Sequence, residues 1–146
     1  MPRMIFVNLP VADLDRSVDF YEAIGAEQNL QFTDETASMM VVSDAIHVML
    51  LTHGKFAQFI GAKRIADARE TVQVLLALSC DSREGVDDIT EKAIAAGGRE
   101  ARDKEDHGWM YGRAFEDPDG HTWEPVWMDV EAASRAMAQP SESADA

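Results

Sequence analysis

The 146-residue chain contains a single cysteine, Cys80. An internal disulfide is thereby excluded, and the place of Cys80 at the end of an apolar run makes a buried thiol the expectation rather than a nucleophile. Long hydrophobic runs are missing as well. None approaches the roughly 18 residues of a membrane span, and no charged start followed by an apolar stretch and a cleavage site marks export. Basic residues are scarce, 13 against 27 acidic ones, and the formal net charge is -14. Such a chain repels phosphate backbones and anionic membranes, so neither nucleic acid nor membrane is an expected partner. The cytoplasm is the simplest location. What is present is 46% hydrophobic, enough for one domain with a real core.

Two stretches share one plan. MIFVNLPVADLDRSVDFYEAI, from Met4 to Ile24, reads as a strand, a helix start at Asp13, and a helix with Leu14, Val18, Tyr21 and Ile24 at helical spacing before Gly25 stops it. From Val72 to Gly97 the same order recurs: VQVLLALS as a strand, Ser82 as a cap, Val86, Ile89, Ala93 and Ala96 on one helix face, then two glycines. Strand-like runs follow each helix, Ser38 to Val42 and Ile46 to Leu51 in the first half, Trp109 to Phe115 and Thr122 to Met128 in the second. Weaker strands around Gln28 to Phe32 and Arg99 to Arg102 complete two βαβββ modules. The expected organisation is an α+β fold with a single domain over residues 1–130: module one at 4–52, a linker at 53–70, and module two at 71–129. Phe56, Phe59 and Ile60 suggest a covering turn in the linker. The tail at 131–146, ending QPSESADA, is small and polar and is expected to fray.

EDPDGHTWEP, residues 116–125, contains a hairpin and a conspicuous carboxylate. Asp117, Pro118 and Gly120 suit a type I turn whose glycine takes positive φ. A three-residue loop sets Asp117 opposite His121, Phe115 opposite Trp123 and Ala114 opposite Glu124. Alternation then puts Glu124 on one sheet face with Met110, Gly112 and Thr122, and puts Tyr111, Phe115 and Trp123 on the other. Arg113 falls on the aromatic side, which leaves open a sheet edge or a register shifted by one.

Helices before three strands in each half suggest helices on one face of the sheet and a free opposite face. Ile5, Val7, Leu9, Ile46, Val48, Leu50, Val74, Leu76 and Leu78 form the uniformly apolar set expected under helices. The opposite set, Phe6, Asn8, His47, Met49, Leu51, Gln73, Leu75 and Ala77 with Met110 and Glu124, is apolar with a few polar groups, as in a small-molecule pocket.

FVNLPVADLDRSVDFYEAIG, the repeat near Val72, and EDPDGHTWE together resemble the vicinal oxygen chelate superfamily, which includes glyoxalase I, extradiol dioxygenases, and fosfomycin and bleomycin resistance proteins. The resemblance covers about residues 4–128. It implies paired βαβββ modules forming a curved mixed sheet around a cup, helices outside, and commonly a homodimer. It also implies metal-ligand positions at Phe6, Met49, Leu75 and Glu124. Only Glu124 matches a ligand type; phenylalanine and leucine cannot coordinate, and a thioether is a poor donor to hard or borderline cations. No metal or other cofactor is therefore expected. Asn8, His47 and Gln73 each sit one pleat step, about 7 Å, from the empty positions, and with Glu124 they form a second polar constellation.

Three readings follow. The first is a binder of a small, largely apolar molecule, held on Phe6, Met49, Leu75 and Met110 and oriented by Asn8, His47, Gln73 and Glu124. The second is a lyase or isomerase like lactoylglutathione lyase, or a dioxygenase-like enzyme, with Glu124 as base and His47 or a displaced divalent metal as partner. The third is an interaction domain whose cup a second chain closes. His107, beside Asp106, is a candidate rim histidine; His53 and His121 read as solvent-facing or structural.

Overall fold

The computed structural model describes residues 2–138. Module one contains β1 (Ile5–Val11), α1 (Leu14–Ala23), β2 (Glu27–Asn29), β3 (Ala37–Val41) and β4 (Ile46–Thr52). A short helix, α2 (His53–Ala57), opens the linker. Module two contains β5 (Leu76–Ser79), α3 (Arg83–Ala95), β6 (Arg99–Asp106), β7 (Met110–Glu116) and β8 (Thr122–Met128), followed by α4 (Val130–Ala138). The strand orders are β1-β4-β3-β2 and β5-β8-β7-β6, so each module builds one four-stranded mixed sheet on the same plan. In both, the first strand pairs parallel with the last and the remaining pairs are antiparallel.

Both long helices begin and end where their caps dictate. Asp13 accepts the Arg16 amide at 3.1 Å and Ser82 accepts the Gly85 amide at 3.0 Å, each satisfying a donor that the helix itself cannot. Gly25 and Gly97 then leave the helices at φ 106° and 105°, a conformation that costs other residues dearly.

The covered faces of both sheets meet in one core. Leu9, Val11, Met40, Val48 and Leu50 from the first sheet pack with Val18, Phe20 and Tyr21 of α1, Ala93 of α3, and Phe115 and Trp123 of the second sheet. Phe20 lies 6.1 Å from Phe115, centroid to centroid, so α1 reaches into module two. The uncovered faces of the sheets therefore point away from this shared interior. The alternation holds for Val7, Leu9, Val48, Leu50, Leu76 and Leu78, but Ile5 and Val74 are 56% and 57% exposed. Ile5 starts its strand, and Val74 precedes β5, which begins at Leu76 rather than Val72.

Two further expectations change. The stretch from Leu30 to Phe32 is a 3-10 turn rather than strand, because the Asn29 side chain accepts the Gln31 amide at 3.0 Å while Thr33 Oγ1 donates to the Asn29 carbonyl at 2.8 Å. The start of the expected frayed tail is helix α4. Asp129 caps it by accepting the Ala132 amide at 3.1 Å, and Ala133 is buried. Residues 139–146 of that tail lie outside the described region. No helix among the described residues is long and apolar enough to cross a membrane.

Candidate functional site

On the free face of the first sheet, the parallel register sets Phe6 beside His47 and Asn8 beside Met49. Neighbouring rings in such a register lie flat on one another: Phe6 and His47 stack with centroids 4.8 Å apart and planes 17° from parallel. Phe6 remains 43% exposed. Nδ1 of His47 is buried without a hydrogen-bond partner among the described residues. Met49 pairs with Met39 across β3 and β4, adding thioethers that adapt to irregular ligands. Asn8 is already engaged, its side-chain amide donating to the Phe6 carbonyl at 3.1 Å. This face is an aromatic shelf with soft, polarizable flanks.

The free face of the second sheet carries Glu124, opposite Ala77. The hairpin forms in the expected register, with Phe115 opposite Trp123 and Gly112 opposite Val126. Glu124 is not a lone carboxylate. The Arg102 guanidinium of β6 donates to its Oε2 and forms an ion pair with it. Arg102 pairs with Ala114 of β7, the strand that separates β6 from Glu124 on β8. The sequence reading missed this partner because β6 has irregular register on both sides of Arg102, and a bulge breaks the parity by which facing residues are found. Met110 lies at the start of β7; Leu75, 56% exposed, and Gln73 precede β5. Gln73 instead lines a cavity where the two modules meet.

The predicted set is thus split between two sheets. Phe6, Asn8, His47 and Met49 stand together on the first; Glu124 and Met110 stand on the second, which already supplies Glu124 with a cation. Among the described residues, no three His, Cys, Asp or Glu side chains converge as a metal would require. At the four positions where the resemblance implies metal ligands, Phe6, Met49 and Leu75 offer no suitable donor to a divalent ion, and the Glu124 carboxylate is held by Arg102.

The turn preceding Glu124 serves the junction between modules. Asp117 is buried; its carboxylate accepts the Tyr21 hydroxyl at 2.6 Å and the amides of Asp119 and His121, both at 2.9 Å. Trp123 Nε1 donates to the same Tyr21 oxygen at 3.0 Å. Burial raises the Asp117 carboxyl above its ordinary range, and burial, with the Asp117 charge behind it, holds the Tyr21 hydroxyl well above a usual phenol. Asp119 accepts the Ala12 amide at 2.9 Å and the Ser17 hydroxyl at 3.3 Å, so the turn grips both ends of the bend into α1. His121, expected to be solvent-facing or structural, takes the structural part, with Nε2 2.8 Å from the Pro10 carbonyl.

Arg113 lies on the same side as Tyr111 and Phe115 with no shift in register, and Asp87 and Glu91 of α3 with Glu100 of β6 surround its guanidinium. His107 stacks on Trp109 at 5.7 Å. Its neighbour Asp106 is bound by Arg83, whose hydrogen bonds, with that of the Gly108 amide, lower the Asp106 carboxyl to about 2. Cys80 is half-buried, and burial raises its thiol.

The family model described as Glyoxalase/Bleomycin resistance protein/Dioxygenase superfamily matches residues 3–124. A hypothetical protein from S. aureus shares the fold with a TM-score of 0.71 at 26% identity, over 87% of this chain and 94% of that one. A lactoylglutathione lyase from Agrobacterium tumefaciens is similar at a TM-score of 0.63 and 16% identity, over 87% and 94% of the two chains. A fosfomycin resistance protein from Mesorhizobium loti is similar at 0.63 and 17%, over 92% and 96%. No curated protein matches the chain.

Proposed function

Since the chain belongs to the glyoxalase/bleomycin resistance protein/dioxygenase superfamily, we propose that it is a cytoplasmic, metal-free member that binds a small, largely apolar molecule bearing an aromatic or conjugated group. The observation that carries this reading is the half-exposed Phe6–His47 stack, with Phe6 at a position where the resemblance implies a metal ligand. A ring laid on the exposed face of Phe6 extends the Phe6–His47 stack, and Met49 conforms to its edge.

We propose a homodimer to complete the site, since the free faces of the two sheets point away from the shared core and Phe6 and Leu75 on them are exposed. A second copy opposing its second sheet to this first sheet would enclose the shelf, with Met110, Leu75 and the Glu124–Arg102 pair forming the facing wall.

The neutral apolar fluorophore N-phenyl-1-naphthylamine tests the proposal. It should bind the purified chain with enhanced emission, and Phe6→Ala should weaken it by about 1 to 2 kcal/mol, roughly 5- to 30-fold. Equal binding to both proteins would remove the shelf from the account. The unpartnered Nδ1 of His47 favours a second reading, a lyase or isomerase in which His47 and Glu124 move protons. Glu124→Gln separates the two: a binder keeps its affinity, whereas an enzyme loses most of its turnover.

A further inference from the structure

A cavity of about 270 Å³ lies where the linker crosses the junction of the modules. It opens between the end of β1, the approach to β5 and the start of β8, with residues 64–72 passing over it. Leu9, Phe56, Val74 and Leu76 make its walls apolar. The roof is seated rather than loose. Arg69 Nη2 donates to the Pro118 carbonyl at 2.7 Å, and Thr71 Oγ1 donates to the Asp67 carbonyl at 3.1 Å. The linker backbone at Ala68 approaches Gly120 so closely that a Cβ there would meet Ala68 C and O at 2.8 Å. Beneath, the His121 ring is fixed by its contact with the Pro10 carbonyl. The cavity is formed before any ligand enters, which spares binding the cost of ordering its walls.

Three polar side chains line the cavity. Arg64 and Gln73 stand at its solvent-exposed mouth and Thr122 is half-buried, and none of them makes a side-chain hydrogen bond or ion pair with another described residue. Arg64 is the informative one. Acidic residues outnumber basic ones 27 to 13 in this chain, yet this guanidinium stands beside an apolar cavity with no carboxylate on it. A guanidinium selects planar, two-oxygen anions through paired N–H donors, and an amide and a hydroxyl beside it can complete the shell of a carboxylate.

We propose that this cavity binds a small monocarboxylate with an apolar body, its carboxylate on Arg64 with Gln73 and Thr122 and its chain against Leu9, Phe56 and Leu76. The site is separate from the Phe6–His47 shelf and does not depend on the reading given above for that face. Octanoate is the probe, titrated calorimetrically into the full chain at physiological salt, where distant carboxylates are screened. One octanoate should bind per chain, and Arg64→Gln should weaken it about tenfold or more. Octanol, which keeps the body and lacks the charge, should bind the native chain no better than octanoate binds that variant. Ala66→Phe, which projects a ring into the cavity from its exposed lining, should abolish binding, whereas Phe6→Ala should leave the octanoate affinity within about twofold. Absence of octanoate binding in the millimolar range, indifference to Arg64→Gln, or loss on Phe6→Ala would each overturn the assignment, the last by moving the ligand to the other face. Naphthylamine binding is read separately, so failure here and failure at the shelf are told apart.

Discussion

The hydroxyl of Tyr21 donates to Asp117 at 2.6 Å and accepts from Trp123 Nε1 at 3.0 Å, and all three residues are buried. Replacing it with phenylalanine keeps the ring and removes both bonds, leaving an indole N–H without its partner and a buried carboxyl with two donors instead of three. Tyr21→Phe should therefore cost about 1 to 3 kcal/mol, read as a lowered urea midpoint at unchanged slope. The pH trend follows from sign. Burial raises the folded Asp117 above its unfolded value, so its contribution is full below the ordinary carboxylate range and declines as pH rises through the folded value. At this scale the sequence showed positions better than partners. Register arithmetic set Glu124 on the free face and Arg113 on the aromatic side without a reason for its charge there; Asp87, Glu91 and Glu100 around Arg113 and Arg102 on Glu124 come from elements whose approach no local pattern records.

Elements are latched to one another by charge as well as by packing. Arg83, in the first turn of α3, holds Asp106 at the end of β6 and lies over the Tyr111 ring at 4.5 Å. Asp106 is lowered to about 2, so the unfolded chain binds its proton first and this latch loses its contribution as pH falls from about 4 toward 2. Asp106→Asn should flatten the fall in urea midpoint across that window relative to the native chain; parallel curves would show that the latch contributes nothing. The helices and the hairpin were legible because Asp13, Ser82, Gly25, Gly97 and Gly120 are local devices. Strand β5 was not. Val72 to Leu75 alternate like a strand, but their continuation would pair with Thr122 and His121, where the chain is already turning and Asp117 has taken the His121 amide. Propensity cannot report that a partner has run out. The linker cavity was equally invisible, since residues 64–72 carry no periodicity.

For the molecule as a whole, one interior serves both modules while two apolar faces remain uncovered. Exposed side chains of this kind near an unpaired strand end favour association. Sedimentation velocity at micromolar concentration should give a dimer, and Leu75→Asp should return it to a single chain; a native protein that sediments as a monomer would refute the proposed homodimer. The clasp between modules also bears on how the protein is made. Asp117 follows Tyr21 by 96 residues, and Asp119 follows Ala12 by 107. A ribosome thus releases module one with its principal tyrosine unsatisfied and Phe20 uncovered on the side that Phe115 will fill, and neither is accommodated until translation has passed the Asp117–Gly120 turn. Maturation of module one must therefore await synthesis of that hairpin, and chains stalled before it are natural clients of chaperones or proteases.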